Sequence, residues 1–216
     1  MNWINLAQVR LSGWWRTVKR VRGRWVSTNV QVFGSRGSGK TTLLNQLETR
    51  GVAVSGSETH GVDSVRPLTE AVSRVRFDTV DIGGRQELWS EWTDSLEERL
   101  PSGIIFLIDH ETHLKVHQSA LKVLVGYLEA EKHDEVRKRC KGFLLLANKQ
   151  DLWDSDQTGE REDTFAKEWK GALAPEVSKL KELGIEVLVG SGSAKFYDYA
   201  SDQFDDLIDQ FVDLAL

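Results

Sequence analysis

A glycine-rich segment carries the side chains with the clearest chemistry. Residues 34–41 read Gly-Ser-Arg-Gly-Ser-Gly-Lys-Thr and match the pattern G-x-x-x-x-G-K-[ST] in full. Glycine lets backbone N–H groups wrap closely round a phosphate, and a helix that begins in the loop adds its partial positive charge. Lys40 is placed to reach the β- and γ-phosphates, and the Thr41 hydroxyl to ligate Mg²⁺. The segment predicts that a nucleotide is bound by Gly34, Ser35, Arg36, Gly37, Ser38, Gly39, Lys40, Thr41 and Thr42.

Two further polar segments follow apolar runs of the kind that form strands. The first is Asn148-Lys149-Gln150-Asp151, and the second is Ser193-Ala194-Lys195. The Asp151 carboxylate can accept from both the ring N–H and the exocyclic amine of guanine, whereas adenine offers no such pair of donors on that edge. Because α/β folds bind ligands at the carboxyl ends of strands, we expect the two segments to share one site. Together they predict a guanine nucleotide.

Strands alternate with helices along the chain, which predicts the scaffold for these segments. Strand patterns cover residues 30–33, 73–81, 104–109, 143–148 and 185–189, and the last three runs are those expected of strands buried on both faces. Helical patterns cover residues 41–49, 114–132, 164–183 (broken by Pro175) and 204–214. Residues 51–67 are polar and glycine-rich and predict a mobile loop, with a strand near 62–66. The predicted fold class is α/β, a doubly wound and mostly parallel sheet.

These motifs together resemble those of the Ras-like GTPase superfamily. The resemblance covers residues 28–216 and implies a P-loop G domain that binds GTP or GDP with Mg²⁺. It also implies that Asn148 contacts the base and that the Lys149 stem packs across its face. In the last motif the Ala N–H meets guanine O6 and the Lys covers the ring, which implies base contacts for Ser193, Ala194 and Lys195.

Two earlier segments resemble the switch regions of the ADP-ribosylation factor (Arf) family. Asp81-Ile82-Gly83-Gly84 ends a predicted strand, with Asp81 placed to hold the Mg²⁺ hydration shell and Gly83 to offer its N–H to the γ-phosphate. The second glycine, Gly84, is similar to the Arf family and the G-protein α subunits, whereas Ras and Rab proteins have Ala before the glycine. Thr59-His60-Gly61 resembles the Thr-x-Gly of the first Arf switch. The predicted metal-site residues are therefore Thr41, Thr59 and Asp81, with Ser55, Ser57 and Ser64 as alternatives to Thr59.

The resemblance fails directly after the second-switch motif. Most Arf-type proteins have there the Gln that orients the attacking water, whereas this chain has Arg85 followed by Gln86. Three interpretations are open. Gln86 takes the water-orienting role after a local shift, or Arg85 stabilises the transition-state charge in cis. In the third, hydrolysis is slow without a partner. Lys40 and Thr59 complete the candidate catalytic residues. Arg36 stands where Ras has Gly and Arf has Asp, so it contacts phosphate or a partner, or it is solvated.

Trp89 and Trp92 lie in the predicted second switch, and two interpretations remain open. Exposed aromatic side chains there would suit an effector surface that changes with the nucleotide. Alternatively, both rings are packed against the sheet.

The first 27 residues form a basic arm ahead of the predicted G domain. Residues 1–33 contain six Arg or Lys and no acidic residue, although the whole chain has a net charge of −5. Arf and Sar proteins are similar in carrying an N-terminal amphipathic helix, and Asn2 excludes myristoylation, which favours the lipid-free Sar type. Residues 1–26 therefore predict contact with an anionic membrane, and the alternative is packing on the domain or in a partner's groove. The apolar face recurs at spacings of three and four, at Ile4, Ala7, Leu11, Trp14, Val18, Val21 and Trp25.

Length and composition narrow the class of protein. A chain of 216 residues suits one α/β domain with its own core. The single cysteine, Cys140, excludes an internal disulfide framework, and no apolar run reaches the roughly 18 residues of a membrane span. The acidic remainder of the chain argues against nucleic acid as a partner. We expect a cytoplasmic protein that associates reversibly with membranes.

The sequence as a whole predicts an Arf-like GTP/GDP switch. It would recruit effector proteins through its switch regions, under the control of an exchange factor and a GTPase-activating protein. One alternative is a non-hydrolysing, GTP-bound scaffold. The other is a membrane-targeting subunit similar to the small GTPase subunit of the signal-recognition-particle receptor, although that family normally has a membrane span.

Overall fold

In the part of the chain that the structure describes, five parallel strands form one sheet. The computed structural model describes residues 26–49, 75–78, 89–153, 160–194 and 201–216. The strands lie in the order β2-β1-β3-β4-β5, and every neighbouring pair is parallel. The predicted α/β class with a parallel sheet is confirmed. The strands are β1 (Val26–Gly34), β2 (Val75–Asp78), β3 (Gly103–Ile108), β4 (Gly142–Ala147) and β5 (Glu186–Ser191).

Helices follow the strands, as a parallel sheet requires. Four of the described helices were predicted from periodicity, namely α1, α3, α6 and α7. The sequence did not predict α2, α4 or the short α5, nor the 3₁₀ turn at Glu131–His133. The helices are α1 (Lys40–Thr49), α2 (Trp89–Arg99), α3 (Leu114–Glu129), α4 (Asp134–Arg139), α5 (Gln150–Trp153), α6 (Glu160–Glu182) and α7 (Ser201–Ala215).

The sheet is covered on both faces, which makes the fold doubly wound. On one face, Ile104, Phe106 and Ile108 of β3 pack in a core with residues of α2, α3 and α6. On the other face, Ile105 and Leu107 pack with residues of α1 and α7. Successive side chains of a strand point to opposite faces, so a strand buried on both faces needs an uninterrupted apolar run. The apolar runs of β3 and β4 are fully buried, as predicted.

Two predictions about these elements are wrong. The run in β5 resembles those of β3 and β4, but β5 is an edge strand of the described sheet and its residues are partly or fully exposed. Pro175 does not break α6, which is 23 residues long and includes the proline. In both cases the position of the element in the fold outweighs its local sequence. An edge strand pairs with one neighbour only, so its apolar run is less buried than the sequence predicts. A long helix is stabilised by its packing face, so it can continue through a proline.

Several predictions concern residues outside the described ranges. They include residues 1–25 of the predicted arm at residues 1–27, the loop at 51–67 and both predicted switch motifs, with Thr59, Asp81, Gly83, Gly84, Arg85 and Gln86. Lys195 also lies outside these ranges. Within the described residues, no helix is both long and apolar enough to cross a membrane.

Candidate nucleotide-binding site

The glycine-rich loop joins the end of β1 to the start of α1. Residues of β1 pair with β3 up to Gly34 opposite Leu107, so the loop begins at the carboxyl edge of the sheet. Gly37 and Gly39 adopt φ values of +80° and +93°, which side chains with a Cβ rarely adopt. The Ser38 N–H donates to the Ser35 carbonyl at 3.2 Å, which closes a tight turn. This backbone can turn its N–H groups toward an anion.

Lys40 is buried at the base of the loop. Its Nζ donates to the carbonyl oxygens of Gly34 at 3.0 Å and Ser35 at 3.1 Å. Thr41 is partly exposed beside it, whereas Arg36 and Thr42 are exposed. The ammonium therefore lies within the loop, and the exposure of Arg36 agrees with the solvated alternative.

Asn148, at the end of β4, joins the loop to the segment after β5. Its Nδ2 donates to the Ser38 carbonyl at 2.8 Å, and its Oδ1 accepts from the Ala194 N–H at 2.8 Å. The side chain is almost fully buried, and the Trp153 indole donates to the Asn148 carbonyl at 2.8 Å. All three predicted motifs therefore meet through one amide side chain. The amide is engaged with the protein itself, whereas the resemblance assigned it to the base.

Lys149 and Asp151 follow Asn148 in the same segment. Asp151 is partly exposed, but its Oδ1 is buried and has no hydrogen-bond partner among the described residues. A buried carboxylate oxygen without a donor is costly, and a pair of N–H donors from a guanine edge would satisfy it. Lys149 has a left-handed backbone (φ +60°) and its ammonium pairs with Glu111 and, at 3.4 Å, with Asp109 Oδ2.

Asp109 lies at the end of β3 and is fully buried. Its Oδ1 accepts from the Thr112 N–H at 2.8 Å. Burial alone would raise the pKa of this carboxyl, but the neighbouring His117 imidazole and Lys149 ammonium outweigh it, so the pKa lies well below its ordinary value. A charged Asp109 therefore holds Lys149 at the mouth of the site.

Sequence reasoning missed Asp109, Glu111, His117 and Trp153. Asp109 follows a buried strand just as Asn148 does, so the strand-end argument applied to Asn148 could have found it. His117 carried no such signal, because a single polar residue on the apolar face of α3 is ordinary. Ser193 and Ala194 are both buried, and the Ala194 N–H donates to Asn148.

Trp89 and Trp92 are buried rather than exposed. Trp92 is fully buried, and its ring lies 5.3 Å from Phe33 and 6.3 Å from Phe106 between ring centroids. Of the two open interpretations, packing against the sheet is the one that the geometry supports.

A parallel α/β sheet whose first strand runs through G-x-x-x-x-G-K-[ST] into a helix defines a P-loop nucleotide-binding domain. The model of the ADP-ribosylation factor family matches residues 16–188. The chain therefore belongs to the ADP-ribosylation factor family of small GTPases, whose fold binds GTP and GDP.

The individual proteins that resemble this chain share less than a third of the aligned residues with it. ADP-ribosylation factor-like protein 6 of Caenorhabditis elegans is 28% identical over 127 residues, which are 57% of this chain and 61% of that protein. The chain thus spans less than two thirds of that relative. The protein of the same name from Danio rerio is 29% identical over 149 residues, which are 68% of this chain and 71% of that protein. A solved structure of the Arl6 (BBS3) small GTPase of Trypanosoma brucei, with the nucleotide analogue GppNp, covers 88% of this chain and 99% of its own. Its TM-score of 0.55 at 21% identity shows the shared fold.

Proposed function

We propose that this protein is a GTP/GDP-controlled switch that recruits effector proteins at a membrane surface. The observation that carries the proposal is the Asn148 bridge between the Ser38 carbonyl and the Ala194 N–H. It joins the glycine-rich loop to the two segments predicted to recognise the base, and Asp151 in the first of these has a buried oxygen with no hydrogen-bond partner among the residues that the structure describes. The proposed nucleotide contacts are residues 34–42, Gly83, Gly84, Asn148, Lys149, Asp151 and residues 193–195.

Asp151→Asn tests the base specificity. Asparagine replaces one acceptor oxygen with an NH₂ donor, which opposes the guanine amine but can donate to the carbonyl that xanthine carries there. GTP affinity should fall by roughly 100-fold or more and xanthosine triphosphate should become the better ligand, because a mispaired buried donor costs about 3 kcal/mol. Glu182→Gln, an exposed charge change at the end of α6, serves as the control. Equal displacement of GTP by ATP from the wild type would contradict the guanine assignment.

Magnesium is proposed to be held by Thr41, Thr59 and Asp81. A hydroxyl and a carboxylate suit the hard Mg²⁺ ion, and Thr41 lies partly exposed at the start of α1 directly after the loop. Chelation by EDTA should accelerate GDP release in the wild type. In Thr41→Ala the release rate should already be high and respond less to EDTA, with Ser178→Ala, which removes an exposed hydroxyl from α6 outside the proposed site, as the control.

Hydrolysis is proposed to be slow without a GTPase-activating protein. Arg85 occupies the position where most Arf-type proteins have the water-orienting Gln. If hydrolysis is slow because position 85 lacks the water-orienting Gln, the rate of single-turnover GTP hydrolysis should rise in Arg85→Gln. If Gln86 has taken over that role, the rate should fall in Gln86→Ala. A fall in Arg85→Gln instead assigns Arg85 to the transition state. Turnover that stays undetectable with and without a cell extract leaves the scaffold function and removes the catalytic one.

Membrane association is proposed to depend on the arm. Six positive charges contribute up to about 1 kcal/mol each near an anionic surface, and the tryptophans suit the interface. The full chain should co-sediment with liposomes containing phosphatidylserine, more when loaded with a non-hydrolysable GTP analogue, and a chain without residues 1–26 should stay in the supernatant. Equal binding by both chains would remove this part of the proposal.

A further inference from the structure

His117, on the first turn of α3, is a fully buried titratable side chain that the proposed function does not use. Its Nδ1 lies 3.1 Å from Ser35 Oγ in the phosphate loop. Its Nε2 lies 3.0 Å from the Asp109 carbonyl oxygen and 3.2 Å from the Asp109 nitrogen. The ring therefore spans the gap between the loop and the end of β3.

Both tautomers of a neutral imidazole satisfy this arrangement. If Nδ1 carries the proton, it donates to Ser35 Oγ and Nε2 accepts from the Asp109 N–H. If Nε2 carries it, that N–H donates to the Asp109 carbonyl and Nδ1 accepts from the Ser35 hydroxyl. Either way, both ring nitrogens are engaged, and a buried hydrogen bond of this kind is costly to break because its partners are left unpaired.

The loop is thus held at two points from two directions. His117 contacts Ser35, and Asn148 contacts the Ser38 carbonyl, while the Ser38 N–H closes the turn onto the Ser35 carbonyl. The same end of β3 presents Asp109 to Lys149. A loop restrained in this way binds an anion with less ordering cost than a free one.

We propose that His117 is a positioning residue of the nucleotide site, which holds the phosphate loop in its binding conformation by tying Ser35 to the end of β3. The proposal rests on the proposed nucleotide site and adds a residue that does not touch the ligand. It predicts that loss of the imidazole weakens the binding of the nucleotide's phosphates more than that of its base.

The test compares the dissociation constants of the full-length protein for GDP and for GMP, which lacks the β-phosphate. His117→Leu should weaken GDP binding by roughly tenfold, the equivalent of one buried hydrogen bond with its unpaired partner, and GMP binding by clearly less. His117→Asn places an amide near the position of Nδ1 and should recover most of the GDP affinity. His117→Gln places its amide near Nε2, away from Ser35, and should recover little.

Two comparisons separate positioning from general destabilisation. His133→Leu removes another buried histidine, which stacks on Tyr127 away from the loop, and should leave the ratio of GDP to GMP affinity unchanged. Ser35→Ala should weaken GDP binding in the wild type but have little further effect in His117→Leu, because the contact is already lost.

Several results would overturn the proposal. Wild-type GDP affinity in His117→Leu, equal losses for GDP and GMP, or additive effects of the Ser35 and His117 substitutions would each do so. If His117→Leu does not fold, equal GDP affinities of the Asn and Gln variants would refute it. A wild type that binds GMP and GDP equally weakly would contradict the nucleotide site itself, and with it this proposal, whereas a tight-binding wild type with indifferent variants would contradict only the role of His117.

Discussion

Gly39→Ala should damage the site far more than Gly37→Ala, although both glycines have positive φ values. A Cβ at Gly39 would lie 2.2 Å from Asn148 Nδ2, well inside van der Waals contact, whereas a Cβ at Gly37 would meet nothing within 4 Å. The Asn148 side chain is almost fully buried, so moving it breaks its bonds to the Ser38 carbonyl and the Ala194 N–H. The position of the Asn148 side chain therefore requires a glycine at residue 39, which lies 109 positions earlier in the chain.

The magnitude follows from these contacts. Each lost hydrogen bond costs about 1 kcal/mol, and a non-glycine residue at positive φ adds about 1 kcal/mol of strain. Gly39→Ala should therefore lower the free energy of unfolding by about 3 kcal/mol, and Gly37→Ala, with strain alone, by about 1 kcal/mol. The difference of about 2 kcal/mol should also appear as a roughly 30-fold difference in GDP affinity if the loop conformation governs binding.

A double-mutant cycle isolates the clash. Urea unfolding of the nucleotide-free protein and GDP titrations are measured for the wild type, Gly39→Ala, Asn148→Ala and the double variant. In the Asn148→Ala background the added methyl meets no amide, so Gly39→Ala should cost only the backbone strain, which gives a coupling free energy of about 2 kcal/mol. Equal losses for Gly37→Ala and Gly39→Ala, or fully additive effects in the cycle, would refute the reasoning.

Three further outcomes follow from the buried groups. Asp109→Asn should lower the free energy of unfolding at pH 7, because the pKa of Asp109 lies below its unfolded value; that contribution is fully present above about pH 4, and the gap to wild type should shrink as the pH falls further. A gap that stays constant from pH 7 to pH 2.5 in urea titrations would contradict this. Cys140 is buried, which raises its pKa to about 12, so the native protein should not react with Ellman's reagent at pH 8, whereas the urea-unfolded chain should release one equivalent. Rapid reaction of the native thiol would show that it is exposed. Trp92→Ala should cost about 3–5 kcal/mol of unfolding free energy, since the ring is fully buried between Phe33 and Phe106; a loss below about 1 kcal/mol would mean that the cavity collapses.

Local patterns accounted for the sheet and for the position of the phosphate loop. The apolar runs of β3 and β4 are legible because a strand buried on both faces leaves no room for polar residues. The loop is legible because its glycines and Lys40 act within eight consecutive residues. In both cases the physical requirement falls on neighbouring residues, so the sequence alone displays it.

The side-chain hydrogen bonds within the site could not be predicted in this way, because they join residues that are far apart in the sequence. Asn148 bonds to a residue 110 positions earlier and to one 46 positions later, and His117 bonds to Ser35 across 82 positions. No local pattern distinguishes an Asn that faces a ligand from one that braces the loop. The motif predicted that Asn148 contacts a nucleotide base, and only the fold shows that its amide contacts Ser38 and Ala194.

At Pro175 the local sequence predicts a helix break that the fold does not contain. Proline in a helix interior removes one backbone hydrogen bond and costs about 3 kcal/mol, which is why the sequence predicts a break. Phe165, Trp169 and Leu173 lie before it and Leu180 after it, and all four are buried in the same core. Burial of such side chains stabilises by about 1.5–3 kcal/mol each, and the residues after Pro175 keep their register with those before it only if the helix continues. A break at Pro175 would move Leu180 away from that core together with Val177 and Leu183, which are partly buried against it, and the loss of all three contacts exceeds the cost of the proline.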